Sequence, residues 1–194
     1  AGTLRFKGNA QFHCGKNNWI YAPSATDPDS SRILPNGDAP TNTVANFSIA
    51  AGKVIVGTAG DPNDAPQVIV SSQMAVGLHA GEGASPEFIL NNGSLVLQKA
   101  SLRIGFYDTL GEAMTTPKVT VNGGTVTIEQ NMNLPEPYGA AVQNASPTLT
   151  VNGGDFLVKG AVRLGYCKVN PAFPEQASTI NLNGGTFTTG GIVL

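Results

Sequence analysis

Two acidic stretches, Asp27-Pro28-Asp29-Ser30 and Asp61-Pro62-Asn63-Asp64, hold carboxylate oxygens close together, as a Ca²⁺ site would need. Neither has the full ligand spacing of a calcium loop, and Asp beside Pro is first of all a turn signal. Asp27/Asp29 and Asp61/Asp64 are therefore read as turns, with Ca²⁺ only a weak alternative. His13 and His79 have no partner at metal-ligand spacing apart from Cys14, next to His13. No Gly-rich loop follows a strand and opens a helix, so the Gly-Gly pairs carry no phosphate-binding signal. Spacing alone thus supplies no catalytic residue, no metal set and no cofactor site.

The aromatic residues offer a different chemistry. Trp19, Tyr21, Phe106, Tyr107, Tyr138, Tyr166 and Phe173 sit in or beside polar loops, where rings can stack on sugars or pack on a partner chain. They can equally fold back and roof the loops that carry them. Which of the two holds depends on the elements that position these loops.

Those elements announce themselves through a turn repeated four times: Asn91-Asn92-Gly93, Asn122-Gly123-Gly124, Asn152-Gly153-Gly154 and Asn183-Gly184-Gly185. The leading Asn recurs after 31, 30 and 31 residues, and apolar residues alternate on both sides of each turn. A fixed period of this size is the mark of a repeat architecture. Apolar spacing is two throughout, the strand signature, and a helical period is absent. The unit from Pro147 has three short strands, two compact corners and one longer loop. That is one coil of a three-sheet parallel β-helix.

Inward columns follow from the alignment. Phe88, Val119, Leu149 and Ile180 stack in the first sheet, beside Leu90, Val121, Val151 and Leu182. Leu95, Val126, Phe156 and Phe187, then Leu97, Ile128 and Val158, stack in the second. The third is expected to take Val54/Val56, Met74/Val76, Leu102/Ile104, Val162/Leu164 and Ile192/Leu194. A one-residue slip would turn a whole column outward, so the pattern pins the register. Coils are expected at 1–43, 44–65, 66–85, 86–116, 117–146, 147–177 and from 178. The third strand of the 117–146 coil is expected to be lost at Leu134-Pro135-Glu136-Pro137. The whole is one β-solenoid domain: an irregular first coil with a long loop (1–43), short coils (44–85) and regular repeats (86–194). Gly2–Gly8 aligns with Gly154–Gly160, which predicts that it forms a second-sheet strand.

At the turn itself, Gly adopts φ > 0 freely and Asn tolerates it, so Asn91, Gly93, Asn122, Gly124, Asn152, Gly154, Asn183 and Gly185 are read as structural. Asn92 in the middle position is a substitution this account permits. The leading amides can also hydrogen-bond their equivalents on neighbouring coils.

Composition agrees with a turn-rich β protein: 194 residues with 24 Gly, 41% apolar and only 12% charged. The net charge of −2 gives no electrostatic reason for nucleic acid to bind. No apolar run approaches the roughly 20 residues that span a bilayer. Cys14 and Cys167 are about five coil steps apart in this scheme, too far for an internal disulfide. Head-to-tail stacking of two chains would bring them closer, although free thiols are the simpler reading.

Residues 178–191, Ser-Thr-Ile-Asn-Leu-Asn-Gly-Gly-Thr-Phe-Thr-Thr-Gly-Gly, carry a resemblance. The pattern, best from 86 onward, resembles the autotransporter-associated β-strand repeats of secreted bacterial proteins, many of them with a PEP-CTERM sorting signal. The resemblance implies a right-handed parallel β-helix exported to the cell surface or exterior, and it brings no catalytic residues. The expected architecture is all-β, a right-handed three-sheet β-solenoid of six to seven coils without substantial helix. The expected function is a non-enzymatic, extracellular structural or adhesive solenoid, stacking on itself end to end into a filament or forming part of a longer stalk. A carbohydrate-binding module using the aromatic edge is the alternative. A polysaccharide lyase or hydrolase comes third, because Asp155 has no carboxylate in its column and Arg103 and Arg163 are two coils apart.

Overall fold

The computed structural model describes residues 3–8, 11–14, 19–21, 32–34, 47–49, 52–70, 74–77, 83–99, 101–105, 114–135, 142–143, 145–165, 168–169 and 177–194. Of these, 11–14, 19–21, 32–34, 142–143 and 168–169 are described by backbone alone. The described residues contain no helix. Parallel strands stack into a β-solenoid of about four turns.

The strands fall on three faces. Thr3–Phe6, Lys53–Val56, Glu87–Leu90, Lys118–Val121, Thr148–Val151 and Thr179–Leu182 form the first sheet, in that order. Gln11–Cys14, Gln67–Val70, Ser94–Leu97 and Thr125–Ile128 begin the second, and Phe47–Ile49, Met74–Val76, Leu102–Ile104 and Met132–Leu134 begin the third. The long strand Asp155–Leu164 then rounds the corner and joins the two: residues 155–158 pair with Thr125–Ile128, and residues 162–164 with Met132–Leu134. Small residues make that continuous corner feasible. A Cβ on Gly160 would stand 2.6 Å from both Asn131 Oδ1 and the Gln130 carbonyl.

Alternation puts one side of every strand inside. Phe88, Leu90, Leu95, Leu97, Leu102, Ile104, Leu149, Val151, Phe156 and Val158 are all essentially inaccessible to solvent. In-register pairing stacks Leu95 on Val126 and Val126 on Phe156. A fully buried side chain of this size contributes about 1.5–3 kcal/mol, so the stacked columns are the main source of stability. Outside, Lys53–Glu87 and Lys159–Glu129 pair at 2.7 Å across successive turns. Such exposed pairs add about 1 kcal/mol or less each.

The first- and second-sheet columns stand in the expected register. Four expectations are corrected. Val54 and Val56 belong to the first sheet, not the third, with Val54 opposite Phe88 and Val56 opposite Leu90. The third-sheet place is taken by Phe47 and Ile49, opposite Met74 and Val76. Segments 44–65 and 66–85 are therefore not two short coils: Lys53–Val56, Gln67–Val70 and Met74–Val76 make one turn. Equal apolar spacing in neighbouring strands makes the sheets indistinguishable by period alone, and the loop at 57–66 hides the corner. The third strand of the 117–146 coil also survives as Met132–Leu134, with Leu134 fully buried ahead of a cis Pro135. Finally, Thr3–Phe6 is a first-sheet strand, paired with Lys53–Val56, rather than a second-sheet strand.

Beyond Phe47–Ile49 the third sheet carries two further strands. Trp19–Tyr21 pairs parallel with Phe47–Ile49, and Arg32–Leu34 lies antiparallel on Trp19–Tyr21.

Candidate functional site

Corners are where this fold could concentrate chemistry, and the Asn-Gly corner is the most regular. Asn122 Nδ2 donates to Asn91 Oδ1, Asn152 Nδ2 to Asn122 Oδ1, and Asn183 Nδ2 to Asn152 Oδ1, each at 2.8 Å. The four amides form one ladder along the stack, and Asn91, Asn122 and Asn152 each use a donor and an acceptor on opposite sides. Asn91 continues it by donating to the Gly57 carbonyl at 3.1 Å. At the other end, Asn183 Oδ1 meets no donor among the described residues.

The glycines serve the ladder in two different ways. Gly93, Gly124, Gly154 and Gly185 have φ between 75° and 87°, the left-handed region that a side chain resists. The middle glycines do not have positive φ. They are small because a Cβ on Gly123, Gly153 or Gly184 would approach the Asn carbonyl of the preceding corner to 2.5–2.9 Å. Asn92 fits in that position because the turn before it has the 57–66 loop there instead of an Asn-Gly corner. Its amide donates to the Asp61 carbonyl at 2.8 Å.

That loop holds the acidic candidates Asp61 and Asp64. Asp64 is buried, and its carboxylate accepts from Thr58 Oγ1 at 2.5 Å and from the Gly8 backbone N–H. The Thr58 hydroxyl holds its carboxyl below the ordinary value of 3.8, against the opposing effect of burial and with help from Gly8 and the Lys7 charge. Asp64 therefore clamps the end of the first strand to the next turn. Asp61 Oδ1 accepts from the Asn63 N–H at 3.0 Å, an ordinary Asx turn. A hollow of about 260 Å³ lies beside it, lined by Gly60, Asp61, Pro62, Asn91 and Asn92. Among the described residues no three of His, Cys, Asp and Glu gather as metal ligands. Asp27 and Asp29 lie outside the described residues.

The third sheet is unlike the other two. Its outward-facing Ser48, Ala75 and Asn133 are 2%, 0% and 3% exposed, so these positions are buried on the outer face too, whereas Arg103 and Arg163 stay partly exposed. Arg103, Asn133 and Arg163 form one outward row in consecutive strands, with Asn133 between the two arginines. Trp19 and Tyr21 belong to a strand of this sheet, described by backbone only. Phe106, Tyr107, Tyr138, Tyr166 and Phe173 lie outside the described residues, as does Cys167. Cys14 ends a second-sheet strand, opposite Val70.

The last strands, Thr179–Leu182 and Thr186–Val193, carry the exposed apolar surface. Leu182, Ile192, Val193 and Leu194 are 56%, 63%, 43% and 93% exposed, the large hydrophobics in the open among the described residues. Leu182 and Ile192 continue inward columns, opposite Val151 and Val162. Hydrophobic pattern alone marked them as core, and only the stack shows that their outer side is bare. Comparisons with known proteins find no matching family model, no similar curated protein and no similar solved structure.

Proposed function

We propose that this chain is a non-enzymatic structural or adhesive solenoid that works outside the cell or at its surface, and that its end strands take a further turn of the same kind. That turn comes from a second copy, giving a filament, or from more of the same solenoid, giving a longer stalk. In its finer form this is a right-handed parallel β-helix of six to seven coils. The observation that carries the reading is the face of strands 179–193, where the inward columns end bare. Any group that covers this face must offer strands on three sides and apolar residues in the same columns. Another solenoid turn does so by construction, and contacts of that head-to-tail kind do not close. The resemblance to autotransporter-associated repeats supports the extracellular part.

Negative-stain microscopy of native material tests it: unbranched fibres about 20–40 Å wide are expected. Exclusively monomeric particles over a wide concentration range would overturn self-association. A high-resolution map of the fibres would read the hand and number of coils directly. If Cys14 and Cys167 link neighbouring copies, polymers survive SDS until a reductant is added, whereas a single non-reduced monomer band excludes that bond.

A further inference from the structure

The chain holds three methionines, and the fold treats them unequally. Met74 and Met132 are fully buried in the third sheet, on either side of Leu102. Met114 is half-exposed, at the corner where the chain enters the first sheet. We propose that Met114 is a reversible oxidation site for peroxides, and that the Ser146 hydroxyl steers the added oxygen to one face of its sulfur.

This corner lies inside the stack, with turns on both sides. The Thr116 N–H donates to the Ala84 carbonyl at 3.0 Å, and the Ser146 N–H to the Thr115 carbonyl at 2.9 Å. A parallel bridge pairs Thr115 with Ala145. These contacts hold Ser146 beside Met114, with Oγ 3.0 Å from Sδ. A thioether has no hydrogen to give, so the hydroxyl is the donor. The Ala177 N–H donates to the same Oγ at 3.2 Å, which leaves the hydroxyl hydrogen for the sulfur.

A thioether sulfur has two lone pairs, and either can attack a peroxide. The Ser146 hydroxyl occupies one of them. The other attacks a peroxide oxygen: the S–O bond forms as the O–O bond breaks, and the departing hydroxide takes the proton of the transferred hydroxyl and leaves as water. Sulfur loses two electrons and the peroxide gains them. No oxygen fits on the occupied side, where an S–O bond plus an O···O hydrogen bond needs about 4 Å against the 3.0 Å present. The sulfoxide is chiral, so blocking one lone pair selects one epimer.

At Met74 and Met132 an oxidant must first open the core. At Met114 it need not, because this side chain is no part of the stacked apolar columns. Oxidation there replaces a soft apolar sulfur by a polar group and leaves the columns as they are. Epimer-specific reductases reverse the change. The solenoid thus carries a redox mark that alters its surface and not its fold.

The test is limited oxidation of the native protein with hydrogen peroxide, followed by digestion and peptide-resolved mass spectrometry. Met114 should gain oxygen at least roughly tenfold faster than Met74 or Met132 while the circular dichroism stays native. The Met114 peptide is then treated with the two methionine sulfoxide reductases, one specific for each epimer. One enzyme should restore most of it, in a ratio of roughly five to one over the other. Ser146→Ala should bring that ratio to about one and speed the oxidation roughly threefold. Ser146→Thr keeps a hydroxyl, as Thr116 does one turn earlier, and should preserve the bias. An even epimer mixture in the wild type would overturn the proposal, and this readout stands even where Ser146→Ala does not fold. Met74 or Met132 reacting as early as Met114 in native protein would overturn it too, as would an unchanged bias in a folded Ser146→Ala variant.

Discussion

Phe156 and Phe187 occupy the same column of the second sheet on neighbouring strands, with ring centroids 5.4 Å apart. The strand around Phe156 is stacked on both sides and the ring is 1% exposed, whereas Phe187 is only partly buried. The same holds for Val162, fully buried, and its neighbour Ile192, 63% exposed. Identical local sequence pattern thus produces a core in one strand and a surface in the next. In a stack, burial is a property of the neighbour as much as of the residue.

The largest expected effect uses that pair directly. Phe156→Ala should cost about 3–5 kcal/mol, since it leaves a cavity closed above and below. Phe187→Ala should cost about 1–2 kcal/mol, because the last strand can settle and water already reaches the site. Chemical denaturation of both variants measures the gap. Equal losses would mean that the end strands are covered in solution, which the fibre reading also requires.

The corner glycines extend the comparison to the backbone. A Cβ on Gly154 would stand 2.3 Å from the Gly124 carbonyl, and one on Gly185 would stand 2.2 Å from the Gly154 carbonyl. Both also have left-handed φ. Relief of the clash differs: the corner of 183–185 can lift away from the stack, and the corner of 152–154 is held by the one beyond it. Gly154→Ala should therefore cost about 2–3 kcal/mol and Gly185→Ala about 1–2 kcal/mol, most of the latter from φ. Thermal melts followed by circular dichroism would separate them.

Much of this was legible from residue order. The period of the Asn turn gives the stacking, and strict alternation gives the first- and second-sheet columns in their observed register. What spacing could not tell was which sheet a short strand joins. Lys53–Val56 and Phe47–Ile49 are both apolar, both brief, and separated by only three residues, so either suits the third sheet by pattern. The deciding contact is long-range, Val54 against Phe88 and Leu4. Asp64 was visible only as a turn residue, because its partners Thr58 and Gly8 come together through the fold. The reason for the middle glycine was also out of reach, since close approach to the neighbouring corner leaves no trace in local preference.

A smaller effect is expected where the ladder alone is cut. Asn152→Ala removes one donor and one acceptor, and the loss should be about 1 kcal/mol because the corner is exposed to water that can substitute. Asn183→Ala removes a single bond and should cost about half as much. Hydrogen exchange of the Asp155 and Thr186 amides, which donate to Gly124 and Gly154, reads the two corners separately. Loss of protection confined to Thr186 in both variants would show that the ladder matters only at its end.

The smallest effect lies at the other end of the ladder, where Asp64 replaces the Asn amides as the link between turns. Its carboxyl titrates below 3.8 in the folded protein, with the Thr58 hydroxyl the main cause. A depressed carboxyl pKa stabilises the fold above the ordinary value and loses that contribution as pH falls through the folded-state value. Wild type should thus melt slightly above Asp64→Asn at neutral pH, and the two curves should converge in acid below the usual carboxylate range. The asparagine keeps one acceptor oxygen for Gly8 or Thr58 but not the charge, so the variant isolates the ionic part of the clamp. A gap that stayed constant into strong acid would assign Asp64 a packing role. The clamp would then resemble the neutral Asn corners after all.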